Sequence, residues 1–210
     1  MNSVVPESEV SGHETRLTLT HLMLPADANH MGRIHGGIIL KLIDEAAAAC
    51  AQRFCRSLVA TAAIDRIVFH HPVAIGDLVF LHANVNFSGR TSMEVGVRVE
   101  AENLQTGFVT HTNSAYVVLV AIDADGKPIA VPRVTPRTDE QWAWHSAAEA
   151  RRQKRLSERE AAAESRGYAP VVGCASSCAG ARPSSRSNSR KAMSATSSWS
   201  LSGSLVVNRR

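Results

Sequence analysis

Apolar positions along this chain follow two rhythms. From Thr15 to Leu24 they alternate, with Leu17, Leu19, His21 and Met23 on one face, the pattern of a strand with one buried side. Gly36 to Phe54 is apolar nearly all round, which predicts a helix of about five turns that other elements must bury. Alternation then returns in four stretches rich in Val, Ile, Thr and Phe: Val59–His71, Asp77–Ser88, Thr91–Glu102 and Phe108–Asp123. Pro72–Gly76, Ser88–Arg90 and Asn103–Gly107 separate them, and Asp123–Gly126 closes the run. Three short connections in succession predict an antiparallel meander. One strand, one long buried helix and four strands make an α+β chain whose sheet must wrap the helix.

A second helix is predicted from Thr138 to about Glu164, heavily charged and opened by Thr138 and Gln141 at capping-box spacing. Trp142 and Leu156 are its residues available to pack on the domain. The chain therefore divides into a disordered stretch 1–13, a domain 14–130, a C-terminal extension 131–164 carrying the charged helix, and a disordered tail 165–210. The tail has 13 serines in 46 residues and too little apolar surface to offset the entropy of ordering it.

Phasing separates two adjacent carboxylates on the first helix. At about 100° per residue, Lys41, Glu45 and Gln52 share one narrow stripe, the solvent face. Asp44 lies roughly 60° from Lys41, on the side of Leu40, Ala47 and Ala51. Glu45 is then the solvated acid and Asp44 the one held at an edge of the core.

Charge changes the picture only by its location. The net +4 conceals a tail with seven Lys or Arg and no acid, so residues 1–164 hold 16 basic and 19 acidic residues. The domain gives no electrostatic case for nucleic acid. No run approaches the ~18 apolar residues of a membrane span, and Met1–Gly12 lacks the apolar stretch of a signal peptide. The expected compartment is the cytoplasm, with Cys50, Cys55, Cys174 and Cys178 as free thiols. Spacing gives Cys174 and Cys178 no partner pair for zinc, and His70, His71, His82 and His111 no ligand pattern.

The chemistry gathers around Asp27-Ala-Asn-His-Met-Gly-Arg-Ile-His-Gly-Gly37 and the helix it opens. A Gly-Gly pair before a helix is by itself an ordinary turn. With Asn29 before it and Asp44 behind it, helix-start N–H groups face the space of a potential base, an arrangement for stabilising an oxyanion. His35 has no nucleophile elbow near it, and Cys50 lies inside the helix, so a Ser–His or Cys–His pair is disfavoured.

Asp27-Ala-Asn29, His35-Gly-Gly37 and Lys41-Leu-Ile-Asp-Glu-Ala46 resemble the hotdog-fold acyl-CoA thioesterases, specifically the cytosolic acyl-CoA hydrolases. Phe69–Asp77, Gly89–Ser92, Val109–Asp123 and Val131–Arg133 match the same pattern in order, so the resemblance covers roughly residues 15–160. It implies a curved antiparallel sheet wrapped around a long central helix, and a homodimer with the site at its interface, commonly assembled as a trimer of dimers. Asp44 and Asn29 match the catalytic positions. Gly36, Gly37 and His35 match those that hold the thioester, and Arg90, Thr91 and Ser92 those that contact coenzyme A. The implied reaction is hydrolysis of acyl-CoA to a free acid and coenzyme A, with Asp44 as general base for water and helix-start N–H groups on the oxyanion. It needs no metal and no cofactor, because coenzyme A arrives with the substrate. Two rivals remain. A hotdog hydratase pairs an Asp with a His five residues on, whereas Asp27 and His35 are eight apart. A non-catalytic CoA-binding regulatory module usually carries a fused DNA-binding domain.

Overall fold

The structure, a computed structural model, describes residues 9–11, 15–65 and 67–166. In chain order the elements are β1 (Glu9–Ser11), β2 (Leu17–Leu22), α1 (Gly36–Cys55), β3 (Leu58–Ile64), β4 (Asp77–Ser88), β5 (Ser92–Asn103), β6 (Phe108–Ile122), β7 (Arg133–Thr135) and α2 (Asp139–Arg166). Five strands form one sheet in the order β2-β4-β5-β6-β3, every pair antiparallel. The meander β4-β5-β6 is its centre, and β2 and β3 are its edges.

Alternation puts one face of this sheet on α1. Val79, Leu81 and Val85 of β4, Met93, Val95, Val97 and Val99 of β5, and Ala115, Val117 and Leu119 of β6 are buried there. They close on Ile39, Ile43, Ala46, Ala47, Cys50 and Ala51 of α1. The small residues of the helix matter as much as the large ones, because alanines let the curled sheet approach the helix backbone. Asp27 orders the chain before the helix: its carboxylate accepts from Leu24 N–H and its carbonyl from His35 N–H, both at 2.9 Å. The helix ends where Arg56 turns into the left-handed region at φ 55° and donates its N–H to Gln52.

Three expectations change. The first of the four stretches predicted after the helix, Val59–His71, is a strand only to Ile64. Alternation breaks at Asp65, whose N–H still reaches Tyr116 O, and the chain rejoins β6 only at His70, which donates to Thr112 O. Within 1–13, read as disordered, Glu9–Ser11 is a strand paired in parallel with Arg133–Thr135. Three-residue partners carry too few positions for a readable period. Residues 1–8, 12–14 and 167–210, including Cys174, Cys178 and most of the tail read as disordered, lie outside the described residues.

The third change concerns α2. Thr138 caps it, accepting from Gln141 N–H at 3.2 Å, while the Gln141 side chain reaches back to Arg137 N–H at 2.7 Å. Trp142 and Leu156, expected to pack, stay exposed at 53% and 36%. Gln141 and Ala148 face the domain instead, and ion pairs do the anchoring. Arg151 and Arg155 bond the two oxygens of Glu94, a β5 carboxylate only 2% exposed.

Candidate active site

The two acids on α1 behave as their phases require. Glu45 is exposed and pairs with Lys41 one turn earlier, at 3.3 Å. Asp44 is half-buried, and its Oδ1 accepts the hydroxyl hydrogen of Thr61 at 2.7 Å. Thr61 stands on the edge strand β3, where the pairing with β6 shifts register between Thr61 and Ala63. Sequence reading missed it. The available signal was a lone hydroxyl in Leu-Val-Ala-Thr-Ala-Ala-Ile, a strand otherwise wholly apolar.

A second cluster lies at the start of the helix. Asn29 Oδ1 accepts from the N–H groups of Met31 and Arg33 at 2.9 and 3.2 Å, closing a tight loop. Gly32, at φ 72°, supplies the left-handed conformation the loop needs. With its oxygen committed, the Asn29 amide keeps its NH2 for other partners. His35 is the N-cap of α1, and its Nδ1 accepts from Gly37 N–H at 3.0 Å. This occupies one of the two glycine donors expected for an oxyanion and leaves Gly36 N–H as the uncovered one. A side chain at position 36 would contact the Phe69 ring at 3.6 Å, so that ring forms one wall beside the helix start.

These clusters do not meet inside the chain. Eight residues of α-helix separate Gly36 from Asp44 by about 12 Å along the axis and about 80° around it. The structure therefore brings Asp44 to Thr61, while Asn29 sits in the loop whose Asp27 carbonyl holds His35 N–H at the helix start, as two separate groups. Arg90, Thr91 and Ser92 form a third, at the β4–β5 turn. Their backbone is fixed: Gly89 N–H donates to Ser92 O, Val131 N–H to Arg90 O and Ala121 N–H to Thr91 O. The exposed Arg90 side chain is left free to project. Met93, Leu119 and Thr61 lie in one row across β5, β6 and β3, which sets this turn just beyond Thr61 and about two strand spacings, roughly 10 Å, to the side.

Cysteine chemistry is disfavoured by burial. Desolvation pushes the Cys50 thiol up to about 12, and its Sγ–H donates to Thr15 O. Cys55 is raised as well, by the same cause. Neither forms a thiolate near neutral pH. Among the described residues no three His, Cys, Asp or Glu side chains gather as a metal would need, and no helix is long and apolar enough to cross a membrane.

A curled antiparallel sheet round one buried helix is the hotdog fold, and comparison with known proteins places this one in the class of thioester hydrolases. The family model of the thioesterase superfamily matches residues 31–108. The acyl-CoA thioester hydrolase YkhA of Bacillus subtilis, itself uncharacterised, is 36% identical over 142 residues, 68% of this chain and 83% of the relative. A solved apo-hexameric acyl-CoA thioesterase is 41% identical with a TM-score of 0.69, over 72% of this chain and 97% of its own. An acyl-CoA hydrolase of Staphylococcus aureus, solved with butyryl coenzyme A, coenzyme A and coenzyme A disulfide, is 29% identical with a TM-score of 0.70, over 77% and 98%. Further structures of that enzyme carry alanine in place of an aspartate, an asparagine and a threonine. The chain belongs to the thioesterase superfamily, among its hotdog-fold acyl-CoA hydrolases.

Proposed function

We propose that this enzyme hydrolyses acyl-CoA to a carboxylic acid and coenzyme A, with Asp44 as the general base. The observation that carries the reading is the 2.7 Å bond from Thr61 to Asp44 Oδ1. It fixes the carboxylate's orientation and leaves Oδ2 to take a proton from water, while the Thr61 oxygen can accept a hydrogen from the same water. As water attacks, charge grows on the thioester oxygen. Gly36 N–H at the positive end of α1 and the Asn29 NH2 are donors suited to that charge. His35 caps Gly37 and so holds the turn in shape. Coenzyme A thiolate leaves without a strong acid, and the scheme needs no cofactor or metal. Arg90, Thr91 and Ser92 receive the coenzyme A phosphates. The aspartate, asparagine and threonine varied in the Staphylococcus aureus enzyme are the residue types this scheme uses.

Because the two clusters stand apart within the chain, each site takes Asn29 and Gly36 from one protomer and Asp44 and Thr61 from another. The free edge of β3, with Leu58 58% and Ile64 40% exposed, is where a homodimer would pair. The apo-hexameric relative supports a trimer of dimers, and the enzyme is expected to work in the cytoplasm. The test is complementation. Asn29→Ala and Asp44→Asn proteins, each inactive by free-thiol assay over a range of acyl-CoA lengths, are unfolded together and refolded. A shared site restores about one quarter of wild-type turnover, since half of randomly paired dimers hold one intact site of two. No recovery would place both clusters' chemistry within a single chain.

A further inference from the structure

The start of α1 offers the substrate more than a hydrogen-bond donor. Cα–Cβ bonds of a helix tilt toward its N-terminus, the direction in which its first N–H groups also point. On that side of Gly36 the space is open, because glycine has no Cβ. A Cβ at position 36 would meet the rim of the Phe69 ring, at 3.6 Å to Cζ and 3.8 Å to Cε2. Gly36 Cα and the ring rim therefore stand no more than about 5 Å apart, one bond length beyond that contact. They bound a crease that opens beside the uncovered Gly36 N–H.

The ring is held there from two directions. Asp65 N–H donates to Tyr116 O and His70 N–H to Thr112 O, so the chain leaves β6 after Asp65 and returns to it at His70. Three residues further on, Val73 O accepts from Ile34 N–H at 3.0 Å, just ahead of the helix. Phe69 is fixed between the sheet and the entry to α1, yet its side of the crease is not covered: the residue is 46% exposed. A methylene touching both Gly36 and the ring sits about 3.5–4.0 Å from each, so the crease seats a single file of carbons. A second carbon at the same level has no place unless the ring moves.

We infer that the acyl chain lies in the crease between Gly36 and Phe69, and that Phe69 is a specificity-determining residue favouring acyl groups unbranched at C2. This placement rests on Gly36 N–H as the donor proposed for the thioester oxygen, because that bond brings C2, next to the carbonyl, to the crease. Gly36 then has a second reason to be glycine. A methyl group there would fill the seat of the chain while leaving the N–H in place.

The experiment uses the full chain as wild type, Phe69→Ala, Phe69→Leu and Gly36→Ala, each with a melt and a sizing run. A free-thiol assay over straight acyl-CoAs from butyryl to palmitoyl finds the one the wild type hydrolyses best. Its kcat/KM is then compared with that of the 2-methyl-branched isomer. Intrinsic reactivity of the two thioesters cancels when their ratio is compared between variants. Wild type favours the straight chain about tenfold or more, the scale of one misplaced methyl group in a fitted pocket. Phe69→Ala brings the ratio below about threefold, and Phe69→Leu shifts it the same way if the alanine variant melts low. Gly36→Ala keeps its fold, because its methyl meets the ring at an ordinary contact distance, but loses about tenfold or more on the straight chain. A wild-type ratio near one, a ratio unchanged in both Phe69 variants, or full turnover in Gly36→Ala overturns the inference while hydrolysis of acyl-CoA stands. No thiol released by the wild type from any acyl-CoA overturns both.

Discussion

The two faces of the sheet are covered by helices held in opposite ways. On one, α1 lies against Val, Leu, Met and Ala with its central residues at 0–2% exposure, and its acids Asp44 and Glu45 stand clear of that contact. On the other, α2 has its two large apolar candidates in solvent and is anchored through a buried glutamate between two arginines. Apolar burial is non-directional and tolerates small shifts. Forked charge-assisted bonds are directional, fixing angle and register as well as proximity. The first suits a helix that must support a site, the second one that must hold particular strands in place. A buried ion pair is weak evidence for net stability, since desolvation offsets most of its attraction. The α2 face is therefore organised for geometry more than for strength.

Large truncation on the α1 face should have the greatest effect. Ile43 is fully buried, so Ile43→Ala should lower unfolding free energy by about 2–5 kcal/mol, measured by urea denaturation. A loss under about 1 kcal/mol would mean that the contact with the sheet is looser than described. On the α2 face the sharper test is a pair of changes. Arg151→Ala alone leaves Glu94 half-paired and should cost about 1–3 kcal/mol. Replacing Glu94, Arg151 and Arg155 together with apolar residues of similar size should come close to wild-type stability. If the triple variant were far less stable than Arg151→Ala, the ion cluster would contribute strength after all and the contrast between the faces would fail.

The smallest effect comes from the solvent side of the sheet. Glu100 is held below its ordinary value, first by the hydrogen bond from Arg98 and then by charge from Arg98 and His82. A depressed folded-state value adds stability above the unfolded value near 4.5, and this is lost as pH falls through the lower folded one. Glu100→Gln should thus be slightly less stable than wild type at pH 6. The two melting curves should converge as pH drops below about 4. A gap that widens on acidification would reverse the sign.

How much of this was legible in the sequence follows from the same contrast. Periodicity reports apolar burial, so α1, β4, β5 and β6 could be read closely, and the phase difference between Asp44 and Glu45 with them. It does not report ionic anchoring: Arg151 and Arg155 look like solvated helix charges until Glu94 is placed across the sheet. Thr61 was hidden because one hydroxyl in an apolar strand carries no period. The early end of β3 was hidden because Val and Phe beyond Asp65 continue the composition of a strand without its pairing. Asn29, His35 and the glycines were recognisable as a motif. Their separation from Asp44 was implicit in the eight helical residues between Gly36 and Asp44, about 12 Å along the axis, but the motif by itself does not draw it out.

In the proposed scheme Asp44, and not its neighbour Glu45, activates water. Steady-state turnover of one acyl-CoA by Asp44→Asn and Glu45→Gln, with oligomer size checked on each, tests it directly. Asp44→Asn should lose about a hundredfold or more in kcat, the scale of a lost general base. Glu45→Gln should stay within about twofold of wild type, because a solvent-exposed pair contributes little. Equal losses in both, or turnover retained by Asp44→Asn, would contradict it.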